Sequence, residues 1–176
     1  MTTAQADVQV EFVEVVKDCP LDKLTLYDRN PRRNDQAVER VQKSLEKFGP
    51  VNLIIVDEDF RICAGHTRYK AAIAQGLTTF PVAVYRFPDE SAFMGYNIAD
   101  NQTATVADWD RPELAKQILA LQDIGFEIDA LGFDSTEYNE ILESLDDKVE
   151  YLPKSVDPQD QQNALQCPEC GHKWIP

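Results

Sequence analysis

Between Phe48 and Ala72 the chain reads FGPVNLIIVDEDFRICAGHTRYKAA, and the punctuation of this stretch leaves few foldings open. Phe48-Gly49-Pro50 is a helix stop, because glycine accepts the left-handed cap and proline cannot continue the helix. Leu53 to Val56 is a short apolar run that reads as a buried strand. The charged turn Asp57-Glu58-Asp59 leads to a second short strand, Arg61 to Ala64. Gly65 follows at once, and then a helix that opens His66-Thr67-Arg68. A strand, a glycine and a helix start make a good seat for an anion. The first N–H groups of a helix lack internal partners and sit at the positive end of its dipole. Gly65 has no Cβ to hold a phosphate away, Thr67 adds a hydroxyl, and Arg68 adds a planar guanidinium. The same spacing also fits a glycine that merely relieves a tight turn beside a solvent-facing arginine.

The elements on either side are read from periodicity. Residues 8 to 16, VQVEFVEVV, form a strand, interrupted at Pro20. Asn30-Pro31-Arg32-Arg33 is loop, since Pro31 disfavours helix at Asn30. Asn34 or Asp35 is expected to cap a helix from Gln36 to Phe48, with Val38, Val41, Leu45 and Phe48 inward. The helix after Gly65 is expected to bury Tyr69, Ala72 and Ile73 and to end at Gly76. Pro81 to Arg86 is a further strand. From Asp89 a helix carries Phe93, Tyr96 and Ile98 and ends near Asp100-Asn101. That carboxylate and amide offer two hard oxygens to Mg²⁺, or simply close the helix with a left-handed asparagine. A helix from Glu113 to Gln122, an apolar turn at Ile128, Leu131 and Phe133, and a last helix capped by Ser135 and running through Leu145 complete the body.

Charge narrows the function. The net charge is −14, whereas a protein that holds DNA over its bulk surface is normally basic. Residues 123 to 147 contain no Arg or Lys, so no recognition helix there faces phosphate. Basic residues gather instead at Arg29, Arg32, Arg33, Arg40, Lys43 and Lys47, followed by Arg61, Arg68 and Lys70. A basic pocket on an acidic body suits a nucleotide better than a duplex. No run of eighteen apolar residues and no basic-then-apolar leader is present, and four cysteines are too sparse for a disulfide scaffold, which points to a reducing cytoplasm.

Several of these motifs together resemble the ParB/sulfiredoxin superfamily. Gly65-His66-Thr67-Arg68-Tyr69-Lys70-Ala71 is similar to its G-x-x-R-x-x-A box, which binds the phosphates of CTP in ParB proteins and binds ATP in sulfiredoxins. Asn30-Pro31-Arg32, the Gly49 to Val56 stretch and Asp100-Asn101 resemble three further boxes in the family's order, covering about residues 8 to 145. The resemblance is strongest to small ParB-like (nuclease-type) domains of phages and mobile elements, which often accompany DNA methyltransferases. It implies an α/β (α+β) fold, a small mixed sheet with flanking helices. It also implies CTP or ATP held by Arg32, Gly65, His66, Thr67 and Arg68, with Mg²⁺ at Asp100 and Asn101. A protein partner in DNA modification or phage and plasmid DNA handling follows from the same resemblance, while the acidic charge makes direct DNA contact weak or local. So does a cytoplasmic setting in a bacterium or phage-infected host.

Departures from the family limit what carries over. The sulfiredoxin nucleophile falls at His66, so peroxiredoxin repair is not expected, and no D/N-P-P-Y/F motif marks a methyltransferase. The box lacks the ParB glutamate and first arginine, which leaves the choice of nucleotide open. Turnover on the same pocket, as an NTPase, kinase or nuclease, would need a base such as Asp100 or His66. An inert adaptor is the third reading. The expected organisation is a flexible segment 1–7, a nucleotide-binding domain 8–104, a helical subdomain 105–146, a linker 147–166 and a tail 167–176. In that tail Cys167-Pro-Glu-Cys170-Gly is the C-x₂-C knuckle of a zinc ribbon. His172 offers a third ligand, and a fourth would come from a partner or a second copy, making a homodimer through the tail. Without metal the tail is two reduced thiols.

Overall fold

The alternation of three residues sets the layers. In the computed structural model, which describes residues 9–33, 35–149, 165–166 and 173–174, β2 spans Ile54–Val56 and β3 spans Ile62–Ala64. Ile54, Val56 and Ile62 point to one face, where they join Leu21, Leu24, Ala72, Phe80, Val82 and Val84. Ile55 and Cys63 point to the other face and meet Tyr27 and Phe93. Both faces are covered, so these strands are apolar throughout and show no in–out alternation. Each fully buried Ile or Val stabilises the fold by roughly 1.5–3 kcal/mol.

The sheet has the order β1-β4-β2-β3. β4 (Thr79–Arg86) is parallel to β2 and antiparallel to β1 (Glu11–Pro20), and β2 and β3 are antiparallel. The parallel link from β2 to β4 passes through β3 and helix α2 (His66–Ala74). Helix α1 (Val38–Phe48) packs on α2 over one face, and α3 (Glu90–Thr103) lies against β3 on the other. Beyond α3, α4 (Arg111–Asp123), a 3₁₀ turn at Ile128–Leu131 and α5 (Ser135–Val149) enclose a separate small core of Ala115, Ile118 and Ile141. This unit meets α1 through the stacked rings of Phe48 and Phe126, and through Arg40, whose guanidinium lies 2.8 Å from Asp134 and 2.8 Å from Glu137. A short pair of strands, β5 (Leu165–Gln166) and β6 (Lys173–Trp174), is antiparallel.

The mixed α/β class and the expected strands are found, with local corrections. β1 continues past residue 16 to Pro20, because bulges between Phe12 and Glu14 and between Val16 and Cys19 bring Cys19 into the core. β1 is an edge strand of the sheet, and its Phe12, Val13 and Val15 are exposed among the described residues. Asp35 does not cap α1; it opens a 3₁₀ turn and pairs with Lys70 at 2.6 Å. Ala71 replaces Ile73 as the buried residue of α2, and Ile73 is 49% exposed because its side of the helix faces solvent. Ile98 likewise faces out, at 55%. Asp100 and Asn101 lie inside α3, which runs on to Thr103, so no left-handed asparagine closes it. Asp134, rather than Ser135, caps α5, its carboxylate accepting from the backbone N–H groups of Thr136 and Glu137. α5 extends past the expected boundary at 146, since nothing in Leu145–Val149 breaks the helix. Asn34, residues 1–7, most of the 147–166 segment and the metal candidates Cys167, Cys170 and His172 lie outside the described residues.

Candidate functional site

Four segments converge on one cleft of about 540 Å³. They are the loop carrying Asn30, Arg32 and Arg33, the start of α1 with Gln36 and Arg40, the junction Ala64–Arg68, and the end of α3 with Asp100 and Asn101. The boxes that are far apart in sequence thus share one wall-to-wall site.

The β3–α2 junction is shaped for close approach. Gly65 has φ 100° and ψ 20°, a left-handed conformation that L side chains resist. A Cβ there would stand 3.0 Å from Arg68 Nη1 and 3.2 Å from Ile54 Cγ1, so the position has no room for a side chain. No side chain caps α2, which leaves the first N–H groups of the helix without an internal acceptor. Arg68 folds back over Gly65 and donates to the Leu53 carbonyl. Burial pulls the Arg68 guanidinium's pKa down, opposed by the charge of Asp100 and by Tyr96. An arginine nonetheless stays protonated at physiological pH, so a half-buried cation sits here with no carboxylate in ion-pair contact among the described residues.

The basic cluster seen in the sequence is mostly neutralised. Arg40 is held by Asp134 and Glu137, Lys47 by Glu127, Arg61 by Asp57 and Glu90, and Lys70 by Asp35. Arg61 also lies 3.9 Å from the centre of the Phe93 ring, so it fastens the start of α3 and takes no part in the cleft. Among the described residues that line the cleft, Arg32, Arg33 and Arg68 are the arginines without a carboxylate partner. Arg32 donates from Nη1 to both the carbonyl and Oδ1 of Asn101, at 3.1 Å each, and its backbone N–H donates to Asn30 Oδ1 at 3.3 Å. Asp100 is half-buried and its carboxylate accepts no hydrogen bond from a described residue. Thr67 lines the cleft between the helix start and Arg68.

His66 is buried at 6% exposure, and its Nε2 has no hydrogen-bond partner. Desolvation, with a smaller contribution from the charge of Lys70, pushes its pKa down to about 4. It is therefore neutral at pH 7 and stands at the helix start as an uncharged polar group. Cys63, three residues earlier, is no nucleophile. Burial first, then Asp100 and Asp57, push its thiol up to about 12, and Sγ donates to the Phe93 carbonyl at 3.4 Å.

Arg32, Gly65, His66, Thr67, Arg68, Asp100 and Asn101, singled out from sequence, all line this cleft. Among the described residues no group of three or more His, Cys, Asp and Glu is arranged to hold a metal. Sequence reasoning missed Asn97, which is 1% exposed and donates from Nδ2 to the Cys63 carbonyl at 2.7 Å. The available signal was its spacing, one helical turn before Asn101. It also read Gln36 only as a helix start, and counted Arg33 in the basic cluster without naming it as a site residue.

Comparison with known proteins bears on this arrangement. Residues 3–101 match the ParB N-terminal domain family. The ParB-like nuclease domain-containing protein YnaK of Escherichia coli (strain K12) is 35% identical over 66 residues, which is 37% of this chain and 76% of that protein. Among solved structures, the C-terminally truncated chromosome-partitioning protein ParB from Caulobacter crescentus, complexed with CTP-gamma-S, aligns with a TM-score of 0.62. The alignment covers 85% of this chain and 83% of that one at 21% identity, which makes it a likeness of fold. No helix among the described residues is long and apolar enough to cross a membrane.

Proposed function

Because this chain belongs to the ParB N-terminal domain family, we propose that its cleft binds the phosphates of a nucleotide, CTP or ATP. One observation carries the reading. An uncapped helix N-terminus and three arginines without carboxylate partners face the same cavity. Arg68 is half-buried without an ion pair among the described residues, which costs stability that an anion would restore, and Arg32 and Arg33 line the cleft as exposed cations. Two or three phosphate groups spread over Gly65–Arg68 on one side and Arg32 and Arg33 on the other would satisfy all of them. The low pKa of His66 keeps a fourth positive charge out of the site, so the imidazole recognises the ligand as a neutral hydrogen-bonding group.

Mg²⁺ enters the proposal through Asp100. Its carboxylate is open to the cleft, and Mg²⁺ commonly takes one carboxylate and fills its remaining positions with phosphate oxygens and water. The cation would supply charge neutralisation where phosphates crowd. Asp100 is also the residue on which turnover would depend, as a metal ligand or base. That open carboxylate beside Arg68 favours a metal-dependent NTPase, kinase or nuclease as the second reading, with an inert adaptor as the third.

The module is proposed to serve DNA modification or phage and plasmid DNA handling in the cytoplasm through a protein partner. The Cys167, Cys170 and His172 tail is proposed to take zinc with a fourth ligand from a partner or second copy. The pairing of β5 with β6 supports this, because it closes the chain on either side of the six residues that contain those ligands.

The test is calorimetric titration of the full chain with CTP, ATP, ADP and GTP, with and without Mg²⁺. We expect micromolar binding of one triphosphate, weakened at least tenfold in Arg68→Ala, since a charge-assisted bond to phosphate is worth about 1.5–3 kcal/mol. Unchanged affinity in Arg68→Ala would sink the reading. Turnover of the bound nucleotide that disappears in Asp100→Ala would favour the enzymatic alternative.

A further inference from the structure

The sheet ends in two unlike edges. β3, which runs into Gly65 and the cleft, is one of them, and β1 is the other, across the sheet from the cleft. The backbone N–H and C=O groups of an edge strand point by turns toward its neighbour and away from the sheet, and the outward ones can accept another strand. β1 also presents apolar side chains there. Its register sets Phe12 opposite Tyr85, Val15 opposite Ala83 and Val16 opposite Val82. Val16 and Val82 belong to the core that Leu45 and Ala72 share, so Val15 lies on the other face, with Phe12 and its edge-on partner Tyr85. Among the described residues, Phe12 is 58% exposed and Val15 45%.

Charge decides what can lie alongside. Between residues 11 and 18 the strand carries Glu11, Glu14 and Asp18 against Lys17. Arg86 adds no free cation, since Glu11 holds it at 3.1 Å and Glu58 at 2.8 Å. A second copy would set this acidic strand against itself and bring together two chains of net charge −14. A basic strand meets attraction instead. Next to Phe12 and Val15 it would place apolar side chains, and next to Glu14, on the other face, lysine or arginine. The bulges on either side of Glu14–Val16 limit it to a short segment, about six residues.

We infer that β1 is a docking edge that takes an extended basic segment of a protein partner as an added strand, one whose side chains alternate between apolar and Lys or Arg. The backbone of the segment bonds to the open edge, its apolar side chains cover Phe12 and Val15, and its cations answer Glu14 and Asp18. The cleft stays open while the segment is bound, because β4 and β2 stand between β1 and β3. Nothing in this docking depends on what the cleft binds.

The probe is a capped, fluorescent peptide of about eight residues that alternates valine and lysine. It is titrated with the full chain at physiological salt and followed by anisotropy. We expect saturation at about 10–100 μM, and none with the peptide in which glutamate replaces lysine. The valine–lysine peptide N-methylated through its middle keeps its charge and loses its strand-pairing N–H groups, so it should bind about tenfold more weakly. Val15→Asp should also weaken the original peptide about tenfold, although it adds a negative charge, because it removes the apolar contact. Circular dichroism checks that this variant keeps its fold, and the N-methylated peptide tests the wild type without any substitution. Undiminished binding of the N-methylated peptide, or tighter binding to Val15→Asp, would mean that charge attraction alone holds the peptide and would overturn the inference. A wild-type chain that does not bind the valine–lysine peptide would overturn it as well. A wild-type dimer in sedimentation that dissociates in Val15→Asp would give the edge to a second copy, with the same consequence.

Discussion

Among the described residues, His66 carries the titration signature that falls nearest neutral pH. Its folded pKa of about 4 lies below the ordinary value of 6.5 because the ring is desolvated and Lys70 is near. Between those values the unfolded chain binds a proton that the folded chain refuses. Stability is therefore present in full above about pH 6.5 and is lost as pH falls toward 4. At pH 5 the loss from this residue is about 2 kcal/mol, taking 1.36 kcal/mol per unit. Urea denaturation at pH 7 and pH 5 should show that loss in the wild type and not in His66→Gln; equal losses in both would mean the imidazole is not buried neutral. The sequence marked position 66 as the first residue of the box helix, but it could not tell a neutral imidazole from a charged one. That distinction depends on how deeply the folded chain buries the ring.

At the scale of elements, the helical unit after α3 stands on few anchors. Its core is Ala115, Ile118 and Ile141, and Ile118 is the largest of its fully buried side chains. Ile118→Ala should cost about 2–4 kcal/mol in urea denaturation followed by circular dichroism; a change under about 1 kcal/mol would mean that α4 and α5 do not pack as described. Element type was largely legible, because Leu114, Ile118, Ile141 and Leu145 recur at helical spacing and Leu53–Val56 is bounded by turns. Coverage was not. Ile73 and Ile98 carry the right period but face solvent, since a period identifies a face without naming the neighbour that covers it. Capping failed for a related reason. Asp35 was a reasonable cap by type, yet the tertiary partner Lys70 takes its carboxylate.

For the whole molecule the net charge is −14, and among the described residues the pairing of Arg40, Lys47, Arg61 and Lys70 with carboxylates leaves little cationic surface outside the cleft. A random 20-bp duplex at 150 mM salt should therefore show no saturation below about 100 μM by fluorescence anisotropy, at the weak end of non-specific binding. Saturation at a few micromolar would reveal a DNA-facing surface that the charge distribution does not suggest. The boxes of the cleft were legible because each is local, and their order along the chain matched a family pattern. The bonds from Asn97 to the Cys63 carbonyl and from Arg32 to Asn101 were not, because they exist only once a strand, a helix and a loop are brought together. The two sides of the cleft also differ mechanically. Helix α2 lies in the crossover between two parallel, hydrogen-bonded neighbours, so both of its ends lead directly into strands of the sheet. The opposite side rests on a loop tied to α3 by one guanidinium. The first acts as an anvil and the second as a jaw, and any adjustment on loading belongs to the jaw.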